Sequence, residues 1–195
     1  MRRLTLADVK DLVAYEKVRD AFRAEAIAEK QRRRIAVGPR ISLLFENRLT
    51  VLSQVQEMIR AERIVDDDKI QFELDVYNEL LPGPSQLSAT LFIEITDAAD
   101  IRAELDRFIG LDQPGHLCLK LPSGGRVEAW FEEGHSQEDR ISAVHYVRFP
   151  LTPAQRAELA GGGGEAALVV DHPGYATRSV IPPALRAELA RELEE

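Results

Sequence analysis

The sequence predicts an α+β fold, with a largely antiparallel sheet of about five to seven strands and an N-terminal helical region packed on it. Apolar residues recur at helical spacing through the first third of the chain and alternate with polar residues through much of the remainder. Strands and helices do not follow one another in regular βαβ order, which favours antiparallel pairing. We therefore expect a helical region with a short hairpin over residues 1–84 and a sheet with helices over 85–195, in one compact unit.

The first helix is predicted to begin near Thr5, because Asp8 three residues later gives a capping-box pattern. The helix is expected to run to about Arg33. Because so many large apolar residues are costly to leave in water, we expect them to form a stripe that packs on the body. The stripe comprises Leu6, Val9, Leu12, Val13, Tyr15, Val18, Phe22, Ala26 and Ile27.

Turn and cap residues delimit the next three elements. Gly38-Pro39 predicts a turn between hairpin strands 34–37 and 41–46. Asn47 is expected to cap a helix that reaches about Arg63. The acidic run 66–68 should open a further helix, since carboxylates suit a helix N-terminus, and Pro82 should stop it.

The rest of the chain reads as strands with three intervening or terminal helices. Strands are predicted at 87–95, 116–121, 126–132, 141–149, 166–171 and 176–181. Helices are predicted from Asp97 to about Ile109, from Thr152-Pro153 to the Gly161–Gly164 run, and from Ala184 to about Glu194. In the central hairpin, the register that keeps Leu and Val together pairs Lys120 with Arg126, Cys118 with Glu128 and His116 with Trp130.

Charge is unevenly distributed along the chain. Residues 1–63 hold 14 Lys+Arg and 9 Asp+Glu, a net charge of +5, whereas residues 64–195 hold 11 and 24, a net charge of −13. The densest basic cluster comprises Lys30, Arg32, Arg33, Arg34 and Arg40. It either binds nucleic acid or faces the acidic remainder of the protein. We favour the second interpretation, because nucleic-acid-binding domains are normally basic overall.

Sequence motifs give little indication of catalysis. The Gly161–Gly164 run leads into a strand without the Lys-Ser/Thr of a P-loop, and no nucleophile elbow or HEXXH motif is present. The single cysteine, Cys118, rules out an internal disulfide and a zinc cage made of cysteines. We expect no enzymatic activity and no cofactor.

Histidines provide the best candidate for a metal site. His145 lies on the apolar side of its predicted strand, and His172 follows Asp171 at a strand end. We name His145, His172 and Asp171 as candidate metal ligands. The alternative is that His145 is a buried neutral imidazole that hydrogen-bonds through at least one nitrogen. The candidate partners for that bond are Glu46, Glu57 and Tyr77.

Five segments resemble a bacterial family known as domain of unknown function 3501. They are LLFENRLT (43–50), QVQEMIRAERI (54–64), ELDVYN (73–78), VHYVRF (144–149) and DHPGY (171–175). The resemblance implies redox partners, because members are often encoded beside a rubrerythrin-like di-iron protein and an iron–sulfur oxidoreductase. It implies no catalytic residues.

These observations leave three functional hypotheses. The first is a non-enzymatic accessory or adaptor for the two redox partners, docking through the basic N-terminal region. The second is a small metal- or cofactor-binding enzyme that uses His145 and His172, and the third is nucleic-acid binding through residues 30–40. We expect a cytoplasmic protein, since no apolar run approaches the ~20 residues of a membrane span and the first residues lack an apolar signal segment. A homodimer is expected if the stripe of the first helix is exposed.

Overall fold

The structure is a computed structural model that describes residues 1–95, 101–132, 134, 136–137 and 140–194. A 3₁₀ turn at Leu6–Asp8 precedes the helices. The α-helices are α1 (Leu12–Arg33), α2 (Arg48–Glu62), α3 (Asp67–Asn78), α4 (Ile101–Asp106), α5 (Pro153–Ala160) and α6 (Pro183–Glu192). Within the described residues, no helix is long and apolar enough to cross a membrane.

The strands form two main antiparallel sheets. The strands are β1 (Arg34–Val37), β2 (Ile41–Phe45), β3 (Gln86–Ile93), β4 (Leu117–Lys120), β5 (Arg126–Glu128), β6 (Trp130–Phe131), β7 (Ser136–Gln137), β8 (Arg140–Ile141), β9 (Val144–Pro150), β10 (Ala167–His172) and β11 (Tyr175–Val180). The five-stranded sheet has the order β1-β2-β3-β9-β6, the four-stranded sheet has the order β11-β10-β4-β5, and β7 pairs with β8. The α+β class and the antiparallel pairing are confirmed, but the strands are divided between two sheets.

The main core lies between these two sheets. Alternating apolar residues from both sheets form one buried cluster, which α5 and α6 complete with Leu159, Leu185 and Leu189. The five-stranded sheet contributes Leu43, Phe45, Leu87, Leu91, Val147 and Phe149, and the four-stranded sheet contributes Leu117, Leu119, Val127, Leu168 and Val170. Burial of alternate residues explains why a period of two was visible in the sequence.

A second apolar cluster joins α2 and α3 to the N-terminal segment. Its buried members are Leu4, Val51, Val55, Ile59, Ile70, Leu74, Leu80 and Leu81. Tyr146 of β9 packs against this cluster although its strand neighbours Val147 and His145 point to the other side. The helices therefore cover the second face of the five-stranded sheet.

Helix α1 packs on the body as expected, but only part of its predicted apolar stripe is buried. Asp11 caps α1 after the 3₁₀ turn, so the predicted helix is broken there. Tyr15 and Ala26 are buried, whereas Val13 and Ile27 are exposed. Glu29 and Arg33 are buried on the same helix, and apolar periodicity could not reveal these polar contacts.

A carboxylate clamp attaches α1 to α2. The Tyr15 hydroxyl donates a 2.6 Å hydrogen bond to Glu57 Oε1, and the Arg19 guanidinium donates to both carboxylate oxygens at 2.9 and 2.8 Å. The bonds from Arg19 do most to hold the pKa of Glu57 at about 2, below its ordinary value of 4.5.

We expect Glu57→Gln to make the protein less sensitive to acid. Because the folded state lowers the pKa of Glu57, the clamp contributes fully above pH 4.5 and its contribution is lost as the pH falls towards 2. Thermal unfolding of both proteins between pH 2 and 7 measures this. The stability of the wild type should fall more steeply below pH 4.5 than that of the variant, and parallel curves would contradict the prediction.

The central hairpin confirms two of its three predicted pairs. Lys120 pairs with Arg126, and Cys118 pairs with Glu128. The pairing of His116 with Trp130 is wrong, because β5 ends at Glu128 and Trp130 joins the other sheet opposite Arg148. The chain changes sheets at the intervening residue 129.

Three predicted segments differ in extent from the observed elements. The predicted strand 141–149 is interrupted at residues 142–143, between β8 and β9. Helix α4 ends at Asp106, three residues before the predicted end near Ile109, and its residue Ile101 is exposed. Asp97, the expected cap, lies outside the described residues. The caps predicted at Asn47 and Thr152 are confirmed.

Candidate functional site

Arg33, a member of the basic cluster, is a buried ion-pairing residue. Its Nε donates a 2.8 Å hydrogen bond to the carbonyl oxygen of Phe45 at the end of β2. Its guanidinium also pairs with Glu192 of α6 and lies 3.6 Å from a carboxylate oxygen of Glu188. Arg33 therefore connects α1, the five-stranded sheet and α6.

The other arginines of the cluster are also paired with carboxylates. The pairs are Arg32 with Glu29 and Glu188, Arg34 with Glu94, and Arg40 with Glu104. This arrangement matches the interpretation in which the basic segment faces acidic residues of the same protein. It leaves less unneutralised positive charge for nucleic acid or for an acidic partner than the sequence suggested.

His145 lies in the main core, on β9. It is 1% exposed, its Nε2 donates a 2.8 Å hydrogen bond to the carbonyl oxygen of Ser142, and its ring meets Phe131 edge-on at 5.7 Å. The predicted burial and hydrogen bond through one nitrogen are confirmed.

Each of the three candidate partners of His145 has its own neighbours elsewhere. Glu46 accepts hydrogen bonds from Thr90 and Thr50, in a buried polar cluster under α2. Glu57 belongs to the α1–α2 clamp, and Tyr77 packs against the helical cluster. The partner visible at Nε2 is instead a backbone carbonyl three residues earlier, which the sequence could not distinguish from any other carbonyl.

His172 lies at the end of β10, in the other sheet. The Gly174 N–H donates to His172 Nδ1 at 3.1 Å, so Nδ1 carries a lone pair and Nε2 carries the proton that is donated to the Ile109 carbonyl at 2.9 Å. The ring of His116 meets the ring of His172 edge-on at 5.0 Å, and His116 Nδ1 donates to the carbonyl of Asp171 at 2.6 Å. These bonds join the β10–β11 turn to the segment that follows α4.

The structure does not bring the predicted metal ligands into one cluster. His145 and His172 belong to different sheets and share none of the partners described above. Both nitrogens of His172 are engaged in hydrogen bonds, and the Asp171 side chain is exposed. In the described part of the chain, no three His, Cys, Asp or Glu residues are arranged to hold a metal ion. Metal binding stays a prediction without geometric support.

We expect His145→Ala to lower the free energy of unfolding by about 1–3 kcal/mol, because it removes a buried side chain and leaves the half-buried Ser142 carbonyl without its donor. Denaturant unfolding measures the stability change, and elemental analysis of untagged protein measures metal content in parallel. The expected result is destabilisation with no transition metal in either form. Stoichiometric metal in the wild type that disappears in His145→Ala would support the metal hypothesis instead.

The two strands predicted for the central hairpin contribute side chains to different sheets. Cys118 is buried on β4, and burial raises the pKa of its thiol, which disfavours the reactive thiolate. Trp130 lies on β6, where the Arg148 guanidinium is 5.6 Å from its ring centroid. The two side chains therefore do not form a joint site on one hairpin face.

A different surface, the outer face of α3, carries apolar side chains in solvent. Phe72 is 65% exposed and Val76, one turn later, is 52% exposed, while Ile70 and Leu74 on the opposite side are buried. Val65, just before the helix, is 77% exposed. The i, i+4 spacing of Phe72 and Val76 was a visible signal of a second apolar face.

The α3 segment is also rich in acidic residues. Residues 62–79 contain seven Asp or Glu and two Lys or Arg. In the described part of the chain, no ion pair involves Asp67, Asp68, Glu73 or Asp75. The acids of α3 thus differ from the arginines of the basic cluster, which are paired internally.

Comparison with known proteins identifies the family. The family model described as "Protein of unknown function (DUF3501)" matches residues 3–193. The chain belongs to the DUF3501 family. This confirms the resemblance seen in the sequence, and it assigns no reaction.

A similar solved structure supports the fold described above. It is the crystal structure of a novel protein of unknown function from Burkholderia pseudomallei K96243, which is 37% identical to this chain. The match covers 98% of this chain and 100% of that one, with a TM-score of 0.90. The comparison with curated proteins gave no match.

Proposed function

We propose that this DUF3501 protein is a non-enzymatic accessory that binds a redox protein through the outer face of α3. The observation that carries the proposal is the exposure of Phe72, 65% accessible at the centre of a helix face that also exposes Val76. Aromatic residues dominate the binding energy of protein interfaces once they are buried by a partner. An exposed Phe with an apolar neighbour one turn away is therefore suited to docking.

The family resemblance supplies the partners of this proposal. They are the iron–sulfur oxidoreductase and the rubrerythrin-like di-iron protein. The basic N-terminal region was the expected docking surface, but the pairing of Arg32, Arg33, Arg34 and Arg40 with carboxylates makes it less suitable. The outer face of α3 has both apolar residues and unneutralised charge, and we assign the docking to it.

Titration calorimetry of the full chain against each redox protein tests the proposal. We expect binding to at least one of them, and we expect Phe72→Ala with Val76→Ala to weaken it by more than about tenfold, as for an interface hot spot. Val13→Ala is the matched control, because Val13 is 68% exposed on another helix, α1. Failure of the wild type to bind either protein, or equal weakening by the control, would overturn the proposal.

A further inference from the structure

We infer that the outer face of α3 takes a protein surface whose apolar centre is bordered by Lys and Arg, and that it does not take a second copy of this chain. The inference rests on the proposed function for the location of the docking face. It adds the chemistry of the partner, which neither the family nor its relative of unknown function supplies.

Helix geometry arranges the outer face of α3 as an apolar stripe with an acidic border. At 100° per residue, Phe72 and Val76 lie within about 40° of each other. Asp68 and Asp75 border this stripe on one side, and Lys69 borders it on the other side, with Glu73 beyond Lys69. A partner that covers Phe72 and Val76 must therefore approach the carboxylates of Asp68 and Asp75.

These carboxylates are available to a partner. Asp68 and Glu73 form no ion pair within the described residues, and Asp75 accepts a hydrogen bond from Gln71 at 2.9 Å. By contrast, Glu79 just beyond the helix already contacts Arg3 and Arg148. The unpaired acids give the face a negative potential that attracts basic surfaces over about a Debye length, roughly 8 Å at physiological salt.

The same charges argue against other occupants. Two copies that met through their α3 faces would bring Asp68 and Asp75 of each copy together with only Lys69 of each to offset them, and this excess of like charge opposes association. Nucleic acid and anionic lipid surfaces are repelled for the same reason. A basic-rimmed apolar protein surface is the occupant that satisfies both the stripe and its acidic border.

Two synthetic amphipathic helical peptides provide a direct test. One is made of Leu and Lys, and the other has the same sequence with Glu in place of each Lys. Amide chemical shifts of the ¹⁵N-labelled full chain are followed while each peptide is added. We expect the Leu/Lys peptide to shift residues in the range 65–79, and we expect the Leu/Glu peptide to leave them unchanged.

Charge variants make the test specific to the acidic border. The double variant Asp68→Asn/Asp75→Asn keeps the shape of the face. It should weaken the affinity for the Leu/Lys peptide by roughly two- to fivefold per charge removed. Asp20→Asn, an exposed acid of α1, is the matched control and should have no effect. Raising the salt from 50 to 500 mM should weaken the wild-type complex and reduce the difference between wild type and variant.

Each other outcome overturns the inference. Equal response to both peptides, shifts centred outside residues 65–79, or an unchanged affinity in the double Asn variant would show that charge on α3 does not select the partner. A dimer detected by light scattering and lost in Phe72→Ala would identify a second copy as the occupant.

The outcome can also separate this inference from the proposed function. If the Leu/Lys peptide binds as expected but neither redox protein binds, the proposed redox role is rejected and the inferred basic partner surface stands. If a redox protein binds and its affinity does not respond to salt or to the Asn variants, the redox role stands and the inferred partner surface is rejected.

Discussion

Replacing Arg33 with alanine is expected to lower the free energy of unfolding by about 3–5 kcal/mol, the usual effect of removing one partner from a buried ion pair. The Arg33 side chain is 4% exposed and that of its partner Glu192 is 5% exposed. Truncation would leave the Glu192 carboxylate without its guanidinium and the Phe45 carbonyl without its donor. It would also release the connection between the C-terminus of α1 and α6.

Arg32 provides the matched control for this prediction. Its side chain is 58% exposed, and its ion pairs with Glu29 and Glu188 lie near the surface. Surface ion pairs contribute about 0–1 kcal/mol, so Arg32→Ala should have little effect. Denaturant unfolding of the two variants decides the matter. Similar small losses of unfolding free energy in both variants would show that the contacts of Arg33 do not stabilise the fold.

Local signals in the sequence predicted local structure well. The cap side chains of Asn47 and Thr152 bind backbone N–H groups three residues later. Because donor and acceptor lie in the same short segment, the residue types alone predict these caps. The β10–β11 hairpin likewise turns at residues 173–174, where Pro and Gly are adjacent. Alternation predicted which residues of β9 face the core, because burial repeats every two residues in a strand.

Long-range features were missed because they depend on packing partners far along the chain. The buried side of α1 is set by Glu57, by Glu192 and by the Phe45 carbonyl, and none of these lies within α1. The move of Trp130 into the other sheet depends on its pairing with Arg148, 18 residues later. A regular alternation that continued through residue 129 gave no sign of that move.

The candidate site shows the same division. Sequence reasoning correctly predicted that His145 is buried and hydrogen-bonded, because its apolar neighbours on β9 are local. It could not decide whether His145 and His172 meet, since that depends on how two sheets are assembled. The spacing of Phe72 and Val76 indicated a second apolar face on α3. Only the structure shows that this face is the exposed one, because the helical cluster buries the opposite face.

In three Phe→Ala variants, the loss of stability should increase with the burial of the phenylalanine that is removed. Phe149 is fully buried on β9, with its ring centroid 6.2 Å from that of Phe45, and its truncation should cost about 3–5 kcal/mol. Phe22 of α1 is only half-buried and meets the Tyr15 ring edge-on at 5.9 Å. Its loss should cost less, although its position in the predicted stripe suggested a core residue.

Phe72→Ala completes the series and bears directly on docking. Because Phe72 lies largely in solvent, its truncation should change the free energy of unfolding by no more than about 0.5 kcal/mol. The denaturant concentration at the unfolding midpoint should therefore be highest for Phe72→Ala, lower for Phe22→Ala and lowest for Phe149→Ala. The dependence of the unfolding free energy on denaturant concentration should be the same in all three variants. If Phe72→Ala lowered the free energy of unfolding by several kcal/mol, the Phe72 side chain would be needed for the fold. Its presence on the surface would then not be evidence for a docking partner.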